Sequence, residues 1–79
     1  MHATTSAAHE AYAAARRADD AFQRELVRAY GSVAKAADAR YRRQHADVAV
    51  QAARCAYLTA TLALHEAWRA SRVDTAAST

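Results

Sequence analysis

Seventy-nine residues make one small domain, and 25 of its 42 apolar residues are alanine, with one glycine, no proline and no isoleucine. That composition favours helix and excludes a sheet, which needs β-branched residues and turn punctuation, while the lone Cys55 excludes a disulfide scaffold. The formal charge of +3 is a mild basic excess and by itself no nucleic-acid signature.

In chain order, residues 1–5 read as a tail, and Thr5 or Ser6 caps a first helix predicted to run to Tyr30. Its apolar face is Ala11, Ala15, Ala18, Phe22, Leu26, Ala29 and Val33, spaced by three or four residues. Gly31 and Ser32 then supply a helix stop and a new N-cap. The predicted second helix runs from about 33 to about 72, ahead of a tail at 73–79. The expected fold is all-α: a single domain over 1–79 forming an antiparallel helical hairpin, with helices at about 6–30 and 33–72, that pairs into a dimeric four-helix bundle. The alternative is a three-helix bundle with a break near 43–47, in the polar run Arg42-Arg43-Gln44-His45, and with Asp47 as N-cap of the last helix. The two-helix reading is preferred because no glycine or proline marks that break.

The second helix carries the most ordered pattern. Ala46, Ala49, Ala53, Ala56, Ala60, Ala63, Ala67 and Ala70 alternate spacings of three and four, as the a and d positions of a heptad do. This stripe is expected to pack closely against the first helix, where Ala8, Ala11, Ala15 and Ala18 form a shorter run. Val50, Tyr57 and Leu64 flank it on one side; Val48, Cys55 and Leu62 lie beyond the other edge. With Leu58 added, the helix is apolar nearly all round between 48 and 64, which one short partner helix cannot cover. A second copy of the chain is the expected cover. The candidate packing or oligomer interface is Ala46, Ala49, Ala53, Ala56, Ala60, Ala63, Tyr57, Leu58, Leu62 and Leu64. Cys55, set among apolar neighbours, is expected to be an inert, inaccessible thiol.

Catalysis finds no footing. The chain has no glycine-rich phosphate loop, Cys-x-x-Cys or His-Glu-x-x-His, so no enzymatic activity, cofactor or metal is expected. His9-Glu10-Ala11-Tyr12 and His65-Glu66-Ala67-Trp68 echo one another. Adjacent His and Glu do not share a helix face, so the echo fits chance, or His and aromatic residues edging an interface, better than a ligand set. The basic excess falls within 31–54, where Lys35, Arg40, Arg42, Arg43 and Arg54 face only Asp38 and Asp47. Asp38 is placed to pair with Arg42 and Asp47 with Arg43, leaving Arg40 and Arg54 without an acid at helical spacing. Arg40, Arg43 and Arg54 fall along one strip bordered by Tyr41. With Lys35 and Arg42 they are the candidate partner-binding strip, suited to an acidic protein surface and, less well, to nucleic-acid phosphates; a merely solvating face is the alternative.

The expected function is that of a small non-enzymatic protein-interaction module, a homo-oligomeric regulator, adaptor or inhibitor that occupies a partner protein's surface. Small phage and accessory-genome proteins that block host systems often have this build. An RNA- or DNA-binding regulator using the strip at 40–43 is the alternative. Neither the opening residues nor Arg16-Arg17 reads as a targeting signal, and the ten uncharged residues from Cys55 to Leu64 fall short of a bilayer span. A cytoplasmic location with no membrane association is expected.

Overall fold

A helix ends where something satisfies the backbone groups it leaves unpaired. The computed structural model describes residues 3–77, and side-chain surroundings over 6–73. It contains three helices: α1 (Ala3–Tyr30), α2 (Val33–Tyr41) and α3 (Val48–Ala77). Gly31 closes α1 at φ +95°, its N–H donating to the Val27 carbonyl at 2.8 Å. Ser32 caps α2, its hydroxyl accepting from the Lys35 N–H at 3.1 Å. After nine residues α2 stops in a Schellman turn: Gln44 N–H donates to the Ala39 carbonyl at 2.9 Å, and Arg43 N–H to the Arg40 carbonyl at 3.2 Å. Asp47 then caps α3, its Oδ1 accepting from the Val50 N–H at 3.0 Å.

The unbroken helix expected over 33–72 is therefore corrected to the three-helix alternative, with Asp47 as the cap that alternative requires. The break has no glycine because Arg43 itself takes the left-handed conformation, at φ +56°. Helix also takes in most of the stretches read as tails, since α1 begins at Ala3 and α3 continues to Ala77; Met1, His2, Ser78 and Thr79 lie outside the described residues.

α3 runs antiparallel to α1 and packs along it, while α2 packs on α1. The α1 side of the contact is close to the expected face. Ala8, Ala15, Phe22 and Leu26 are buried and Ala11 and Ala18 half-buried, whereas Val33 is 67% exposed at the start of α2. On α3 the contact line is Val50, Ala53, Tyr57, Ala60, Leu64 and Ala67, all buried or half-buried. This corrects the eight-alanine seam. Ala53, Ala60 and Ala67 belong to it, but Ala49, Ala56, Ala63 and Ala70 are exposed on a neighbouring strip, and Ala46 is exposed in the α2–α3 loop. The two lines share every second position. The helix rolls onto the one carrying Val50, Tyr57 and Leu64 because those side chains remove more apolar area from water than alanines do. The same roll turns Val48, Cys55 and Leu62 outward, so Cys55 is exposed and not the buried thiol expected.

The buried core is Phe22, Leu26, Ala36, Ala39 and Val50, contributed by all three helices. It occupies one half of the molecule, where α2 lies against the hairpin. The other half, made of the first part of α1 and the last part of α3, is a bare helix pair. The radius of gyration, 15.7 Å, exceeds the roughly 12 Å of a compact chain of this length, and the extents are 50 × 21 × 19 Å.

Asp47 ties the loop to α1. Its carboxylate accepts from Arg28 Nη2 at 2.9 and 3.1 Å, and Arg28 also bonds Glu25 at 2.7 Å. The Val50 N–H, and after it the Arg28 guanidinium, hold the Asp47 carboxyl below its ordinary value of 3.8. A carboxyl depressed in the folded state adds stability that is complete above the unfolded value and is lost as pH falls through the folded one. The native chain should therefore lose stability as pH drops below 3.8. Asp47→Asn keeps a capping side chain without the charge and should flatten that acid limb. Urea midpoints measured across pH for both chains test this, and parallel acid limbs would refute it.

Candidate functional site: an arginine pocket and a half-filled groove

The break after α2 gathers the arginines differently from a continuous helix. Arg40, Arg43 and Gln44 from the end of α2, with Arg54, Tyr57 and Leu58 from α3, line a pocket of about 410 Å³ floored by Phe22 and Ala39. Three of the predicted strip residues thus meet, although no single helix carries them. Lys35, in the first turn of α2, and Arg42 do not line this pocket, and Tyr41 is 88% exposed.

The arginines have different occupations. Arg40 crosses to α1, where it donates to the Asp19 carboxylate and, at 3.4 Å, to the side-chain Oε1 of Gln23. Its guanidinium also lies 4.8 Å from the Phe22 ring centroid and 4.9 Å from that of Tyr57. Burial pushes Arg40 down, but the Asp19 hydrogen bond and charge, helped by Tyr57, outweigh it and hold the group above its ordinary value. Arg40 is therefore a clamp between helices, with an acid that helical spacing could not reveal because it comes from α1. Arg42 pairs with Asp38 at 3.1 Å, as expected for i,i+4. Asp47 does not serve Arg43; it caps α3 and holds Arg28. Arg54 Nη1 lies 3.2 Å from His45 Nε2, an arrangement in which the arginine donates. Among the described residues, neither Arg43 nor Arg54 has a carboxylate partner.

A second feature continues along the same side of the hairpin. Between the first part of α1 and the last part of α3 lies a groove of about 370 Å³, lined by Ala8, His9, Tyr12, Leu64, His65 and Trp68. The two His-Glu-Ala-aromatic segments of the sequence thus face each other across antiparallel helices, each giving its histidine and its ring to one groove. Tyr12 is 53% and Trp68 59% exposed. Arg16 donates to the Tyr12 hydroxyl at 3.3 Å, and the Arg72 guanidinium stands 5.8 Å from the Trp68 ring centroid. Leu58, 51% exposed, marks the boundary between the pocket and the bare groove. Of the predicted interface residues, Leu64 lines this groove and Leu58 the arginine pocket, whereas Ala49, Ala56, Leu62 and Ala63 are exposed elsewhere on α3.

Among the described residues no three His, Cys, Asp or Glu side chains cluster as a metal-holding group, and no helix is long and apolar enough to cross a membrane. No protein-family model, curated protein or solved structure matches the chain.

Proposed function

We propose that the protein is a small non-enzymatic interaction module that works as a homodimer, two hairpins closing the bare halves of their grooves against each other as a four-helix bundle. The half-filled groove carries this reading. Its two aromatic rings are more than half exposed beside the half-buried Leu64, and among the described residues no third helix packs on them. The area supports the same conclusion. The chain exposes 5673 Å², whereas a compact monomer of 8.6 kDa exposes about 4700 Å². The excess, about 1000 Å², is close to the roughly 800 Å² that each partner contributes to a standard interface. Such a dimer leaves both arginine pockets at its ends, free to meet an acidic surface on a partner protein, which makes a regulator, adaptor or inhibitor the natural role.

A nucleic-acid regulator fits less well, because Asp19, Asp38 and Asp47 neutralise three of the basic side chains around the strip and interrupt it. Hydrogen exchange separates the dimer from a monomer. Amides at 9–16 and 61–72 should exchange more slowly as protein concentration rises, while those around Leu26 and Val50 stay constant. Exchange independent of concentration in both halves would overturn the reading.

A further inference from the structure

We propose that the arginine pocket is a binding site for a phosphate monoester, held by Arg43 and Arg54. The proposal is independent of the dimer and starts from the backbone. The chain closes two helices with a left-handed residue; at the first it uses Gly31, and at the second it uses Arg43. A side chain at φ +56° is disfavoured by contact between Cβ and its own backbone, and glycine is the usual occupant of this place in a Schellman turn. The arginine is therefore held at a cost to stability, and it lines the same pocket as Arg40 and Arg54. A disfavoured backbone conformation at a residue that lines a basic pocket points to an anionic ligand that offsets it.

The geometry defines that ligand. Arg40 is already committed to Asp19, so the pocket offers the guanidinium forks of Arg43 and Arg54, neither paired with a carboxylate among the described residues. Arg54 is oriented by His45 at 3.2 Å, and the Gln44 amide lies alongside. Two forks suit a group with close to two negative charges and three acceptor oxygens, which a phosphate monoester has and a single carboxylate lacks. A nucleic-acid strand would present further phosphates on either side, where it would meet Asp19, Asp38 and Asp47. A single terminal phosphate brings no such further charges. Leu58 at the rim gives apolar contact to whatever carries the phosphate.

The test is titration of the full chain with inorganic phosphate at constant ionic strength set by chloride, read from the arginine Nε–H and the Gln44 and His45 amide resonances. Saturable shifts are expected in the native chain. Binding should weaken about tenfold or more in both Arg43→Gly and Arg54→Gln. Arg43→Gly should at the same time raise the melting temperature by roughly 4–8 °C, which shows that lost binding is not lost folding. Phenyl phosphate and a phosphoserine peptide then tell a small-molecule ester from a phosphorylated protein, and tighter binding of either supports the site. Three results would overturn it: shifts no larger than chloride alone produces, phosphate affinity unchanged in Arg43→Gly, or an oligonucleotide binding far more tightly than any monoester.

Discussion

Leu26→Ala should cost about 2–5 kcal/mol. Leu26 is fully buried and packs with Phe22, Ala36, Ala39 and Val50, where all three helices meet. Most of the other buried positions are alanines, too small to close over the space a leucine leaves, so a cavity is expected to persist. A domain of this length has roughly 4–12 kcal/mol in all, and the loss is a large fraction of it. Chemical denaturation followed by circular dichroism should show the midpoint falling by a third or more, or the cooperative transition disappearing. A truncation costing under about 1 kcal/mol would mean that the three-helix core is not what holds the fold together.

Trp68→Arg should weaken dimerisation at least about thirtyfold, the effect of losing an aromatic anchor worth 2 kcal/mol or more. It places a charge in the groove beside Arg72 and His65 and removes the larger of its two rings. Gln51→Arg, an exposed position in the half that α2 covers, should leave the dimer intact. Gln23 is unsuitable as that control because its side-chain Oε1 accepts from Arg40 and the residue is half-buried. Leu62→Arg discriminates between faces. The sequence places Leu62 in the oligomer interface, but it stands on the outward ridge of α3, 59% exposed, and its replacement should leave a dimer formed through the groove largely unchanged. Dissociation by Leu62→Arg with no effect of Trp68→Arg would move the interface to the ridge.

The contrast between α1 and the rest of the chain shows what the sequence makes legible. In α1 the large residues Phe22 and Leu26 continue the line of Ala8, Ala15 and their neighbours, so size and spacing select one face and the structure buries it. In α3 the alanine stripe and the true contact line differ by a single residue at alternate positions. A regular pattern of small residues draws attention, but Val50, Tyr57 and Leu64 decide the roll of the helix. That one-residue difference also put Cys55 on the wrong side. The break after Tyr41 was legible only as an alternative, through Asp47, because arginine is not a stop signal and its left-handed conformation at position 43 is visible only in the backbone. Charge alone marks Arg40, Arg43 and Arg54, which line one pocket. Their division into a clamp and two remaining forks needed Asp19, which is 21 residues from Arg40 in sequence and reaches it through tertiary packing. The groove was present in the sequence as the repeated His-Glu-Ala-aromatic segment, with no local signal that the two copies would face each other.

Sedimentation equilibrium of the native chain across the micromolar range tests the central claim most directly. A mass of two chains, falling towards 8.6 kDa on dilution and in Trp68→Arg, is the predicted result. A well-folded monomer at every concentration would contradict it, since the bare half of the groove would then be stable in water without a second copy.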